Sequence, residues 1–365
     1  MENIKETCLH SRHLALGAQM TPFGGFDMPI QYSGIVEEHE AVRNACGVFD
    51  VSHMGEVNIS GNDAEKYVNH IFTNDVTGLP TGKILYGMMC NPEGGVVDDL
   101  LVYKRGDNNF FLVINAANID KDMAWIMEHS DGYDVEIIPL SDELSQLAVQ
   151  GPESEAVMEQ VLGITCADLQ FYTFREATLD GNHILVSRTG YTGEDGFEIY
   201  ADNATIRNMW DTLIESGRAL PCGLGCRDTL RFEVGLPLYG DELSETISPL
   251  EAGLGIFVKL DKPEFIGREA LAGQKADGVK RKLVGLEMAD KAIPRHGYEV
   301  VTDDGIVVGT VTTGYRGISV DKSIAAALVE TPYAEKGNNL NIRIRRKTFP
   351  ATVTAKKFYK KSYKK

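Results

Sequence analysis

No run in this chain approaches the ~18 apolar residues that a membrane span requires, and its start, Met1-Glu2-Asn3-Ile4-Lys5-Glu6, lacks the basic-then-apolar order of a secretory signal. Both absences predict a cytoplasmic protein with no membrane partner. Neither GxGxxG nor GxxxxGK[ST] occurs, which argues against dinucleotide and nucleoside triphosphate sites, and GxSxG and HExxH are missing too. The eight histidines do not fall at metal-ligand spacing. The six cysteines, Cys8, Cys46, Cys90, Cys166, Cys222 and Cys226, include no CxxC pair. Cys222 and Cys226 lie four apart, but no further Cys or His pair completes a ligand set, so reduced, buried thiols and no metal are expected. Acids are absent from Asn341 to Lys365, where ten Lys or Arg stand, so a net charge of −17 leaves −27 on the first 340 residues. A body that acidic does not suit a nucleic-acid binder. The basic tail reads either as a solvated end or as a dock for an acidic partner.

At 365 residues the chain has room for two or three cores. Its elements recur in order. Residues 55–129 read as strand (Glu56 to Ile59), Gly61, helix (Ala64 to Phe72), strands near Tyr86, Leu100 and Phe111, and a helix around Trp125. Residues 146–216 repeat this with a strand (Gln146 to Val149), Gly151, a helix (Glu153 to Leu162), strands near Phe174, Leu185 and Phe197, and a helix around Trp210. The only two tryptophans thus occupy the same place in two related α+β units of ferredoxin-like type. Ile206, Met209, Trp210, Leu213 and Ile214 have helical spacing, with Asn203 as the expected N-cap. Past a polar linker, Gln274 to Lys282, short strands with turn signals predict a small all-β domain, barrel or sandwich, from about residue 280.

Three stretches carry candidate chemistry. Ser187 to Glu198 has three glycines in seven residues, which let backbone approach a flat ligand closely, with Tyr191 offering a stacking face and Glu198 a carboxylate. An ordinary glycine hairpin is the plainer reading. Asn91 to Tyr103 runs from a Gly-Gly turn into a strand holding Asp98 and Asp99, and acids are depleted in strands. Both can sit at an exposed strand start; otherwise one of them points into a site, and Asp99 shares its face with Leu101 and Tyr103. Gly223 to Glu233 is a glycine-rich helix entry where Arg227 offers a forked donor, unless Arg227, Asp228 and Arg231 are surface ion pairs.

The motifs Phe49-Asp50-Val51-Ser52-His53-Met54-Gly55-Glu56, Gly94 to Leu100, Ser187 to Glu198 and Gly223 to Asp228 resemble, in order, those of the T-protein family of the glycine cleavage system, the aminomethyltransferases. The resemblance extends from Gly17 to Tyr359. It implies a three-domain cloverleaf around a central channel: residues 1–53 with 140–275 as one α+β unit, 54–139 as a second, and 280–365 as a β-barrel. It implies transfer of the methylene carbon of an aminomethyl-lipoyl group on the H protein to tetrahydrofolate, giving 5,10-methylenetetrahydrofolate, ammonia and the dihydrolipoyl arm, in functional linkage with the P and L proteins. It also implies Asp99 as the catalytic acid, Glu198 and Arg227 as holders of the pterin, and Met54, Tyr86, Tyr103, Asn115 and Tyr191 as pocket lining. The alternative is a folate-binding protein of the same fold without transferase activity, but the Lys-Gly-Cys-Tyr-type motif of such relatives is absent. The implied roles are physically reasonable. A pterin's paired N–H edge suits a carboxylate and its carbonyl suits a guanidinium, while an acid beside a weak aromatic amine nucleophile helps it by accepting a proton.

Overall fold

In the computed structural model, which describes residues 4–360, the chain builds one antiparallel and one mixed sheet, both backed by helices, and a closed barrel. The five-stranded sheet runs Ile84–Cys90, Val96–Gly106, Asn109–Ile114, Gly55–Ser60, Glu136–Pro139. The six-stranded sheet runs Phe174–Leu179, Asn182–Ser187, Gly196–Asp202, Leu144–Gln150, Gly47–Asp50, Leu220–Pro221. Taken across each sheet in that spatial order, the first four strands are connected identically, so the repeat of elements is a repeat of topology.

One local device recurs with it. Gly61 and Gly151, each just past the first strand of its unit, take φ of 128° and 130°, and a Cβ on either would meet a backbone carbonyl oxygen at 2.4 Å. Only glycine fits that turn. The sheets also meet at equivalent edges. Lys83 and Thr173 form an isolated antiparallel bridge, and Ile84 N donates to Tyr172 O at 3.0 Å.

Period-2 alternation then sorts the side chains. Phe197, Ile199 and Ala201, paired with Val149, Leu147 and Ser145, put their apolar members into a core with Trp210, which is 1% exposed. Trimming a side chain of that size there costs about 3–5 kcal/mol. Trp125, at the matching place, is only partly buried at the rim of the other core. The opposite face of the six-stranded sheet carries Gln146, Glu198 and Tyr200, and it packs toward Tyr103 and Phe111 of the five-stranded sheet.

Several expectations need correction. Asp202, not Asn203, caps helix Asn203–Glu215, its carboxylate accepting from Ala204 N at 2.8 Å and Thr205 N at 3.0 Å. Asn203 is the first helical residue, and its side chain takes the Ser145 hydroxyl instead. The expected linker is largely helix Arg268–Asp277 followed by the first barrel strand, Arg281–Met288. The six barrel strands include Glu299–Val301 and Lys347–Thr354, which sequence patterning missed, as it missed the hairpin Gln19–Phe23 with Phe26–Gln31. Cys46, Cys90, Cys166, Cys222 and Cys226 are buried as expected.

The chain's end returns to the body. Phe358 N and Tyr359 N both donate to Glu233 O, at 2.9 and 2.8 Å, and the Arg43 guanidinium lies 4.3 Å from the Tyr359 ring centre. Lys356 Nζ donates to Ala252 O, so this part of the basic tail is structural. Lys361 to Lys365 lie outside the described residues.

Candidate active site

The candidate site lies where the two polar faces come together. On strand Val96–Gly106, Asp99 is opposite Met88, which places it diagonally beside Tyr86 on the same face. The Tyr86 hydroxyl donates to Asp99 Oδ2 at 2.8 Å and the Asn115 amide to Asp99 Oδ1 at 2.9 Å. Burial, with the charge of Asp98 added, raises the Asp99 carboxyl to about 7 despite those two donors. Asp98 projects to the other side, fully buried, where Asn115 N, Asn115 Nδ2 and Asn118 Nδ2 donate to it at 2.9, 2.9 and 2.7 Å. Neither aspartate is therefore a solvated residue at an exposed strand start.

Across from Asp99, Glu198 accepts from Gln146 Nε2 at 3.0 Å and from Thr189 Oγ1 at 2.5 Å. Burial still raises its pKa, while Thr189, Arg227 and Gln146 oppose the rise. The Arg227 guanidinium lies 4.9 Å from the Tyr191 ring centre, and its buried Nη1 has no hydrogen-bond partner among the described residues. Arg231, one turn on, contrasts with it. Arg231 is 1% exposed and fully engaged, by Asp228 at 2.7 Å, Glu242 at 2.6 Å, Leu236 O at 3.2 Å and Thr313 at 3.2 Å, so it is no surface pair. Burial, with the Asp99 charge adding to it, keeps the Tyr191 hydroxyl protonated, so Tyr191 lies within electrostatic reach of Asp99.

The chain matches the GCVT N-terminal domain over residues 9–262 and the glycine cleavage T-protein C-terminal barrel domain over 281–360. It belongs to the glycine cleavage T-protein family. Relatives named aminomethyltransferase from Alkaliphilus oremlandii and Thermoanaerobacter pseudethanolicus are each 50% identical over 369 aligned residues, covering 100% of both chains. The crystal structure of glycine cleavage system aminomethyltransferase T from Bartonella henselae is 30% identical and superposes with a TM-score of 0.95, also covering 100% of both chains.

Within this T-protein fold, Met54, Tyr86, Asp99, Asn115, Tyr191 and Arg227 are partly exposed, and Glu198 is 5% exposed. Tyr103 departs from the expected wall position. Its ring is fully buried, and its hydroxyl reaches Tyr200 at 3.0 Å and Ser187 at 3.3 Å, with Ser187 in turn 2.6 Å from Thr189. It braces Glu198 from behind. The glycines of the 187–198 stretch also serve another purpose than expected: a Cβ on Gly190 or Gly196 would strike the Gln150 side chain at 2.0 or 2.4 Å. Gln146, Thr189 and Tyr200 were missed by sequence reasoning, and only Gln146, a long polar side chain directly before the apolar run Leu147-Ala148-Val149, left a signal there. Glu38, Cys222 and Cys226 converge, but Tyr32 N, Gly34 N and Gly223 N occupy the Glu38 carboxylate at 2.6, 3.2 and 2.8 Å, as a loop and helix-end cap requires.

Proposed function

We propose that this chain transfers the methylene carbon of an aminomethyl group, carried on the lipoyl arm of the H protein, to tetrahydrofolate, releasing ammonia and leaving the dihydrolipoyl arm. The chain is an aminomethyltransferase of the glycine cleavage system; the folate, the carrier and the residue roles are the proposal. The unpartnered Arg227 Nη1 carries it, because a buried guanidinium N–H without an acceptor is costly unless a ligand completes it. Each Glu198 oxygen has one donor and keeps lone pairs for a pterin's N–H edge, while Arg227 suits a carbonyl oxygen and Tyr191, Tyr86 and Met54 supply flat apolar surface. Tetrahydrofolate, when bound, supplies the amine that receives the carbon.

Asp99 does the proton chemistry in this reading. As a carboxylate it accepts a proton and stabilises positive charge developing at the transferred carbon, and a pKa of about 7 keeps both protonation states accessible at neutral pH. Asn115 and Tyr86 hold its two oxygens in place. The division into residues 1–53 with 140–275, 54–139 and 280–365 belongs to the same proposal, supported by Gly47–Asp50 lying in the six-stranded sheet. No helix among the described residues is long and apolar enough to cross a membrane. Cytoplasmic work beside the P and L proteins is consistent with that.

Calorimetric titration with tetrahydrofolate tests the reading. Binding is expected for the unaltered chain and is expected to weaken about 10–100-fold in Arg227→Met, the worth of a charge-assisted hydrogen bond. Undiminished binding in that variant would overturn the assignment of Arg227.

A further inference from the structure

Beneath the reactive face lies a third carboxyl that the proposed chemistry does not use. Asp122, in the first turn of helix Ile119–Glu128, is 0% exposed, and no N–H or O–H among the described residues donates to either of its oxygens. Lys121 Nζ is 3.6 Å from Asp122 Oδ1, too far for a hydrogen bond, and is engaged by Val97 O and by Tyr239 Oη at 3.0 Å. A buried carboxylate without a donor is prohibitively costly, whereas a buried carboxylic acid needs only an acceptor for its own proton. The Asp98 carboxylate is the acceptor beside it: Asn118, one turn before Asp122, donates to Asp98 Oδ1 at 2.7 Å, and Asp98 acts on the Asp122 carboxyl by charge and by hydrogen bonding.

We propose that Asp122 is held as a neutral acid that donates its proton to Asp98, making it a positioning residue for Asp99 through the shared Asn115 amide. The asymmetry of the pair fixes the direction of donation. Asp98 already takes three N–H donors, which favours its charged form, while Asp122 takes none. Burial and the Asp98 charge correspondingly push Asp122 up to about 11. Asn115 Nδ2 bonds Asp98 Oδ1 and Asp99 Oδ1, each at 2.9 Å, so an Asp98 anchored from below fixes the amide that orients Asp99. The charge under the site is then one carboxylate rather than two.

The titratable groups facing this chain of contacts are Asp98 on its own strand, Tyr86 from the neighbouring strand, Tyr191 from the opposite sheet, and Lys121 and Tyr239 beside the helix. Of Asp99, Asp122, Tyr86, Tyr191, Lys121 and Tyr239, Asp99 alone is expected to change charge between pH 5 and 9. In Asp122→Asn an amide N–H replaces the acid's O–H. Turnover and the acid limb of the pH–rate profile are therefore expected to stay in place. If Asp122 were ionised, the same change would remove a negative charge and lower that limb by about one pH unit, overturning the proposal. Asp122→Ala takes the donated hydrogen away and is expected to lower kcat about fivefold, one hydrogen bond's worth, without raising the KM for tetrahydrofolate. Equal kcat in the Ala and Asn variants would also overturn it.

The inference rests on the reading of Asp99 only for its effect on turnover. Infrared spectroscopy of the unaltered chain with 13C-labelled aspartate, at pH 9, separates the two. Asp99 and Asp241, at about 7 and about 6, are ionised there, and buried Glu56 is unlabelled. A labelled carboxylic-acid band is expected to remain. Its absence would refute the neutral Asp122 whatever Asp99 does.

Discussion

The two sheets share a strand order and a glycine turn, yet each places a carboxylate at the common site under opposite conditions. Asp99, in the five-stranded sheet, has a second carboxylate on the adjacent residue and one donor on each oxygen, a tyrosine and an amide. Glu198, in the six-stranded sheet, is likewise held by one donor on each oxygen but has a guanidinium nearby instead. The difference teaches that a repeated scaffold can supply proton chemistry from one copy and recognition from the other. A carboxylate beside a second negative charge moves protons near neutral pH, and one beside a cation holds a ligand's edge.

The sharpest way to break this comparison is Asp99→Asn. Turnover is expected to fall about 10²–10⁴-fold while tetrahydrofolate affinity changes little. The contrasting Glu198→Gln is expected to raise KM more than it lowers kcat. Matching kinetic losses in the two variants would erase the division of labour. Stability gives an independent readout. Because the folded-state pKa of Asp99 is raised to about 7, its burial favours the fold at low pH and this contribution is lost as pH rises through that value. Asp99→Asn is thus expected to melt higher than the parent at pH 8, by a few degrees, and at the same temperature at pH 4.

Asp98→Asn comes next in size. Strand alternation alone makes Asp98 look expendable, since it faces away from Asp99, but three donors converge on it in a fully buried place. Replacing that ionic acceptor is expected to cost about 2–3 kcal/mol, read as a lower denaturation midpoint. A stability equal to the parent's would show the carboxylate to be dispensable. The smallest effect concerns the tail. Truncation after Tyr359 is expected to leave the melting temperature unchanged and to raise the KM for the loaded carrier a few-fold at low salt, with the gap closing at high salt. A truncated chain with an unaltered KM would remove the tail from carrier docking.

How far the sequence speaks follows from the range of the interactions involved. The repeated units were legible because alternation and helical spacing are local, and Asp99 stood out because an acid is out of place in an apolar strand. The strand Glu299–Val301 is too short to show a period, and Lys347–Thr354 carries Pro350 and alternates weakly. Asp122 reads as an ordinary acid in a helix's first turn, and Gln150 as one polar residue at a strand end. Their roles come from partners 24 and 40 or more residues away, which no local pattern records. Arg227 and Arg231 look alike in sequence and differ only in who stands opposite them.

The strap at Phe358 and Tyr359 sets a timetable as well as a contact. Arg43, Glu194 and Glu233 can be joined before the ring that stacks on Arg43 and the amides that bond Glu233 O have been made, because those groups come more than a hundred residues later in the chain. The sheets can form while the chain is still being extended, since domains fold as units from the N-terminus. The joint between sheet and barrel can close only once residues 358 and 359 have been made, after every strand of both sheets and of the barrel, so a chain cut off before them would carry both sheets and the barrel with the seam between them open.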